Sequence, residues 1–358
     1  MKKLLIILPL IFLLTACSDY KEVNNLAIIN SIGIDYKDNN YIITLEILDT
    51  KIDKDANKIY SYTTVGCDED IANAIEKSAD NLSLRPYYPH IKLCLISKSI
   101  AENHLKEIID YFIRNNYFRE TFSILITNDK SPNEILNHKT KSDPIPGFSI
   151  VRLIKNNNYA SNVSIDKNFI EFTKEILDFG KDGLTSVIDI KNDNFLINGM
   201  AIFDDYKLIT IFNNNDAKLY NLLNSKISKP LYNIKINNKN FAIVIYDAKT
   251  DFKINNNILN ITGTYRAKII NNEAQLDIKN PNNLKYVNKK LEQHLNNHIY
   301  NYIKKNQEYK CDTLGLGNKY YIKTRKKDED QWQNFKIKSN VKIVINKKGL
   351  VFKNYGNK

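Results

Sequence analysis

The chain has 358 residues, 43% of them hydrophobic, with 52 basic and 40 acidic side chains and a net charge of +12. That apolar content supports sizeable cores, and the length suggests more than one domain. The basic residues are scattered among acidic ones and form no single motif, which argues against a nucleic-acid binder and leaves a solvated surface with mild attraction for anionic lipid headgroups.

Lys2 and Lys3 precede an almost unbroken apolar run from Leu4 to Leu14, followed by Thr15, Ala16 and Cys17. This is the layout of a secretory signal. The run is about a dozen residues, too short to cross a bilayer core of ~30 Å. A cysteine at the cleavage point resembles a bacterial lipobox, in which the thiol is alkylated by a diacylglyceryl group and the chain is cut before it. Residues 1–16 are therefore expected to be removed, with Cys17 left as an S-diacylglyceryl, N-acylated first residue. Two or more acyl chains anchor stably where one holds only marginally. The competing reading is an ordinary cleaved signal that ends near a cysteine. Cys67, Cys94 and Cys311 remain, an odd number without CxxC spacing. Cys94 sits in an apolar run and reads as a buried thiol; one bridge among the three stays open, and a zinc site is not supported.

Beyond a polar spacer, Leu26 to Asp35 and Tyr41 to Leu48 read as a strand hairpin around Lys37-Asp38-Asn39-Asn40, with Ile59 to Val65 as a third strand. Asp68 to Leu82 carries apolar residues at helical steps (Ile71, Ala74, Ile75, Ala79, Leu82). Ile91 to Ile96 is a short strand. Ser99-Ile100-Ala101-Glu102 is a capping box, opening a helix with Leu105, Ile108, Ile109 and Phe112 on one stripe. Thr121 to Thr127 is a strand, and Ser131-Pro132-Asn133-Glu134 is a second capping box with proline in the first turn. Strands alternating with helices imply a mixed α/β layer.

Pro144, Pro146 and Gly147 mark a break. A helix near Lys167 to Phe179 ends at Gly180. Val187 to Ile190 and Phe195 to Phe203 read as strands, and Lys207 to Phe212 pairs with the second of these through an Asp204-Asp205-Tyr206 turn. Asn215 to Asn224 is a short helix. Phe241 to Tyr246 and Ile258 to Ile270 belong to an antiparallel set. The longest helix runs from Asn283 to Lys305, with Leu284, Val287, Leu291, Leu295 and Ile299 along one face, and Val341 to Asn346 closes the chain as a strand. The fold class is α+β, mixed α/β and multi-domain, with a C-terminal antiparallel sheet packed around one long helix. The expected division is a signal (1–16), an N-terminal region (17–194) and a C-terminal region (195–358) that subdivides near 240.

Catalytic sets are not found. His294 and His298 are four apart on the long helix, but Leu295 stands where a zincin needs glutamate, so surface histidines are the better reading. His90 has no paired carboxylate or nucleophile motif. There is no Gly-x-Ser-x-Gly, Ser-x-x-Lys or phosphate loop. Asp35 and Asp312 sit beside turns, where a carboxylate hydrogen-bonds local backbone. Gly33 and Gly199 suggest bulges or close backbone approach. Gly315 and Gly317 suggest turns that other residues would strain, and Trp332 a core or partner anchor. No cofactor or metal is expected.

Several stretches together resemble one family, the Ger(x)C lipoproteins, which are C subunits of bacterial spore germinant receptors. The first is Cys17-Ser18-Asp19-Tyr20-Lys21-Glu22 with Leu26-Ala-Ile-Ile and Ile32-Gly33-Ile34-Asp35, where Ser18 replaces the family's usual aromatic residue. The second is Asn198-Gly199-Met-Ala-Ile-Phe203 with Lys207-Leu208. The third is Cys311-Asp312-Thr-Leu-Gly315-Leu-Gly317, then Trp332, Val341-Lys-Ile-Val-Ile and Gly349. Tyr88-Pro89-His90-Ile91-Lys92 is similar to a further family stretch. The resemblance implies a three-domain lipoprotein on the outer face of the inner spore membrane. It implies work with an A subunit and a multi-spanning, transporter-like B subunit in receptor assembly and signalling, and it carries over no catalytic residue. The rival readings are a solute-binding lipoprotein that captures a small nutrient, and a cell-wall-acting enzyme.

Overall fold

The computed structural model describes residues 25–49, 59–140, 143–226, 229–326 and 328–347. The signal, Cys17 and Gly349 lie outside the described residues.

The first half is built on β1 (Leu26–Lys37), β2 (Asn40–Asp49), β3 (Tyr60–Asp68), β4 (Arg85–Tyr87), β5 (Leu93–Ser97), β6 (Ser123–Thr127) and β7 (Gly183–Lys191). β8 (Asn194–Asp204) and β9 (Lys207–Phe212) extend the same sheet. It has nine strands in the order β3-β2-β1-β5-β6-β7-β8-β9, with β4 beside β1. The centre, β1-β5-β6-β7, is parallel, and each flank is an antiparallel meander. Central parallel strands are covered on both faces and therefore read as continuous apolar runs. β5 follows that rule: all five residues are buried, Cys94 and Ile96 toward one face and Leu93 and Leu95 toward the other.

Helices α1 (Ile71–Ala79), α2 (Lys98–Asn103), α3 (Leu105–Arg114) and α6 (Phe169–Ile176) cover the first face. Helices α4 (Pro132–Asn137) and α5 (Pro146–Ala160) cover the second. The capping box at Ser131 and Glu134 forms as expected. The one at Ser99 does not. β5 runs directly into α2, so Ser97 is the N-cap and accepts from the Ile100 N–H, while the Ser99 hydroxyl donates to the Tyr36 carbonyl. The expected single helix also breaks at His104 before α3 begins.

Pro146 and Gly147 do not mark a loop; they open α5, with proline at its first turn. The residue before it, Ile145, offers no side-chain cap. The cap comes instead from Glu46 on β2, whose carboxyl oxygens accept the Gly147 N–H at 3.2 and 3.3 Å. Glu46 is fully buried and also accepts from Asn30, Ser31 and Ser61 at 2.8, 2.6 and 2.9 Å. Four donors around one carboxyl satisfy a group whose burial would otherwise be costly. A β-carbon at residue 147 would collide with Ser31 Oγ, Glu46 Oε2 and Asn30 Nδ2, so only glycine fits.

The border expected at 194/195 falls inside the large sheet. β7 and β8 form a hairpin that turns between Lys191 and Asn194, and pairing of β8 with β9 carries the sheet on to Phe212. The passage to the second sheet follows α7 (Asn214–Leu223). That sheet comprises β10 (Leu231–Ile236), β11 (Lys239–Asn255), β12 (Ile258–Asn272) and β13 (Lys336–Lys347). Its first three strands are antiparallel, as expected, but β13 joins β12 in parallel. The crossover that makes this possible is α8 (Pro281–Tyr309) followed by α9 (Leu316–Thr324). The expected stripe on α8 is buried at Val287, Leu291, Leu295 and Ile299, and it continues to Tyr302 and Ile303. The core of this half runs without a break into the β8 end of the large sheet through Met200, Ile202 and Phe212.

Candidate functional site at the joint of the two sheets

The motif around Cys311 lies where the two halves meet. α8 ends at Lys310 in the left-handed conformation, and Cys311 turns inward, fully buried, its N–H donating to the Asn306 carbonyl. Thr313 hydrogen-bonds Tyr302 and Asn306 of α8 at 2.7 and 2.6 Å, which fixes the turn on the helix it leaves. Gly315 has φ +63° and starts α9. A side chain there would be strained. Gly317 is different: it lies within the first turn of α9 without positive φ, so the turn expected of it is not made.

Asp312 caps α9. Its Oδ1 accepts the Leu316 N–H at 2.8 Å and its Oδ2 accepts the Gly317 N–H at 2.6 Å. The loop between α6 and β7 clasps the same segment. The Asp182 N–H donates to the Asp312 carbonyl, Asp182 Oδ2 accepts the Asp312 N–H at 2.7 Å, and the Asn318 N–H donates to the Gly180 carbonyl. Gly180, with φ +66°, has backbone of Asn318 where a β-carbon would sit. This explains why α6 stops at Ile176, short of Gly180: the following residues form the clasp.

A polar cleft of about 290 Å³ opens beside it, lined by Asp178, Lys181, Asp182, Asp204, Asp205, Lys310, Asp312, Asp330 and Trp332. Trp332 is 2% exposed, and its carbonyl, with that of Phe335, holds the Gln307 amide. Burial pushes Asp182 up to about 8, opposed by the Asp312 N–H and reinforced by the charges of Asp204, Asp312 and Asp205. Burial raises Asp312 to about 6, opposed by the N–H groups of Gly317 and Leu316 and by Lys319. Asp204 is raised by burial and by Asp205 and Asp330. Carboxyls crowded in a semi-dry cleft retain protons near neutrality. The cleft presents no nucleophile with a base beside it, and among the described residues no group of His, Cys, Asp and Glu is arranged to hold a metal ion.

The other singled-out residues lie elsewhere. Gly33 faces Pro132 of α4, whose Cβ would be 2.7 Å from an added β-carbon. Asp35 accepts from the Tyr36 N–H at 2.8 Å and from Ser99 at 3.3 Å. Gly199 has φ +121° and sits where the β7–β8 register slips, with the Phe212 carbonyl 2.5 Å from any β-carbon. His294 and His298 stack on α8 with ring centres 4.2 Å apart, each lowered first by burial. Cys67 is an exposed free thiol; Cys94 and Cys311 are buried free thiols. Sequence reasoning missed Asp182 and gave Asp204 and Asp205 only a turn role, because Asp182 joins the site through Asp312, 130 residues away, and the turn carboxylates act on Asp182 from outside any local motif.

Two family models match the chain: "Spore germination protein N-terminal domain" over residues 19–190 and "Spore germination B3/GerAC like, C-terminal" over 198–349. The spore germination protein GerQC of Bacillus cereus is 23% identical over 300 residues, covering 80% of this chain and 82% of that protein. Spore germination protein KC of Bacillus subtilis (strain 168) is 23% identical over 364 residues, covering 91% and 87%. The crystal structure of the GerBC protein shares the fold, with a TM-score of 0.52 at 15% identity over 88% of this chain and 96% of that one. Among the described residues no helix is long and apolar enough to cross a membrane. With both models matched in order and the fold shared, the chain belongs to the GerAC-like family of spore germination proteins, the Ger(x)C family, and its role lies in spore germination.

Proposed function

We propose that the chain is a non-enzymatic subunit of a nutrient germinant receptor, tethered through lipidated Cys17 to the outer face of the inner spore membrane and assembled with A and B subunits. The observation that carries this reading is the ordered match of both family regions directly behind the lipobox-like Leu14-Thr15-Ala16-Cys17. A peripheral, anchored protein also fits the absence of a spanning helix among the described residues. In this reading the clasp between Asp182 and Asp312 is structural: it fixes the two sheets relative to each other so that partner contacts on one half are felt by the other. The test is affinity capture of the intact lipoprotein from detergent-solubilised spore inner membrane, followed by mass spectrometry. Recovery of A- and B-type receptor subunits supports the reading; recovery of the lipoprotein alone, while other membrane complexes stay together, overturns it. Cys17→Ala is expected to release the protein from the membrane and impair nutrient-triggered germination. Normal germination with a soluble variant removes the tether from the proposal.

A further inference from the structure

The second sheet has one covered face and one bare face. α8 covers the first, where Leu259, Ile261 and Tyr265 of β12 are fully buried. Strand alternation sends every second residue to the other face, which no described element covers. Over the stretch where β11, β12 and β13 run side by side, β11 places Lys249 and Lys253 there, β12 Arg266 and Lys268, and β13 Lys336, Lys338 and Lys342. All seven are exposed, and only Asp247 and Asp251 oppose them on that stretch. Arg266 pairs with Asp247 at 2.9 Å and Lys253 with Asp251 at 3.4 Å. The five remaining lysines form no ion pair among the described residues. Along the sequence these charges are dispersed over three strands; the register gathers them on one surface.

The register also sets their spacing. Thr264 of the middle strand stands between Lys249 and Lys342, and Asn260 between Lys253 and Lys338. Neighbouring strands lie about 4.8 Å apart, so each lysine pair straddles a neutral polar residue across roughly 10 Å. A shallow recess of about 320 Å³ opens there, lined by Thr262, Gly263 and Thr264 with Lys249, Lys342, Asn340 and Asp251. Ammonium and hydroxyl groups are donors of the kind that phosphate oxygens accept from. Val344 is the one large apolar side chain exposed on this stretch. Specific protein interfaces bury aromatic and apolar anchors at their centre, and this face has no such centre. A broad cationic face without anchors is complementary to a surface of phosphate headgroups.

The lipobox-like cysteine points independently to the same surface. Asn25, the first described residue, is eight positions after Cys17, so the folded part begins within roughly 28 Å of a lipid-bound Cys17. We propose that the bare face of the second sheet docks on an anionic lipid surface, with headgroup phosphates held by the lysine pairs that flank β12. Lysines gain from such a surface within about a Debye length of it. An acylated end and a charged face then hold the chain at two points, which sets the side it turns to the membrane. The docking rests on the reading that Cys17 holds the chain at a membrane.

The experiment is co-sedimentation of the mature chain, residues 17–358 carrying Cys17→Ala, with two kinds of vesicle. One kind is phosphatidylcholine alone; the other is phosphatidylcholine and phosphatidylglycerol in equal parts. The expected result is binding to the mixed vesicles, none to phosphatidylcholine alone, and loss of binding as salt is raised. K249Q/K268Q/K338Q/K342Q should weaken binding at least a hundredfold, since each lysine near an anionic surface counts for about fivefold. The smaller variant K249Q/K342Q should weaken it roughly twentyfold. K285Q/K289Q/K290Q/K304Q removes the same charge from exposed positions of α8, on the other side of the sheet, and should weaken binding less than about fivefold. All the substituted lysines are exposed, so each variant should keep the wild-type circular dichroism spectrum. Absence of binding to the mixed vesicles, equal binding to both kinds, or equal losses in the two quadruple variants each overturns the proposal. The measurement omits the anchor and the partner subunits, so a negative result overturns the docking alone, while membrane release and affinity capture decide the tether and the receptor.

Discussion

Two carboxyls in this molecule do the same local job in opposite surroundings. Glu46 caps α5 from β2, and Asp312 caps α9 from the turn that precedes it. Each receives backbone N–H groups that a helix start leaves without partners. Around Glu46 every neighbour is a neutral donor, supplied by Asn30, Ser31, Ser61 and Gly147. Around Asp312 stand Asp182, Asp204 and Asp205, with Lys319 as the nearby cation acting on it. The first arrangement is a lock with one stable state. The second crowds several carboxyls whose proton affinity burial raises, which ties the stability of the joint between the two sheets to pH.

Gly147→Ala breaks the comparison most directly. The added methyl has no space beside Ser31, Glu46 and Asn30, and overpacking into a buried polar network should cost about 3 kcal/mol or more. Urea unfolding measures it, and a loss under 1 kcal/mol would show the lock to be loose. Glu46→Ala is next: it strands several buried donors and should destabilise by about 2–4 kcal/mol. Asp312→Ala removes one helix cap and should cost about 1–2 kcal/mol, less than the Glu46 variant. The reverse order would dissolve the contrast between lock and joint.

The pH test sharpens it. The Asp182 carboxyl holds its proton up to about 8 in the folded chain but releases it near its ordinary value, about 4, when unfolded. The folded state therefore binds more protons between those limits, and stability falls as pH rises through that window. Denaturant midpoints should drop from pH 5 to pH 8, and Asp182→Asn should flatten the slope and raise stability at pH 8. A flat profile in the unaltered protein would remove the electrostatic account of the joint. The smallest effect concerns thiols. Cys67 is exposed, while Cys94 and Cys311 are buried and raised well above their ordinary range by burial. Among these three, maleimide should label Cys67 alone in the folded protein, and Cys67→Ser should change stability by under about 0.5 kcal/mol.

Signals carried within a few residues were legible in the sequence. The Ser131–Glu134 capping box, the stripe of α8 and the Asp204-Asp205-Tyr206 turn all report on neighbours three or four positions away, and each is in place. Helix α5 was not legible, because the proline and glycine that open it also compose turns, and the group that caps it is 101 residues distant. Ser97 and Ser99 show the same limit on a smaller scale. Either serine could cap α2, and only the direct passage from β5 into the helix decides for Ser97. The clasp was half legible: Asp312 with its glycines stood out, while Asp182 became visible only as its partner across 130 residues.

The parallel placement of β13 bears on how the chain is made. The edge of β12 that β13 occupies, and much of the apolar side of α8, stay uncovered until residues 336–347 arrive, about thirty positions after the helix has ended. During synthesis the second half therefore remains open until residues 336–347 have emerged, whereas the large sheet is complete once Phe212 has emerged. A chain interrupted before residue 336 would present a finished first unit joined to an unclosed second one, with an exposed strand edge ready to pair with another copy. Loss of the final strand is thus a defect that cellular proteases would meet as an unfolded C-terminal half rather than as a slightly shortened protein.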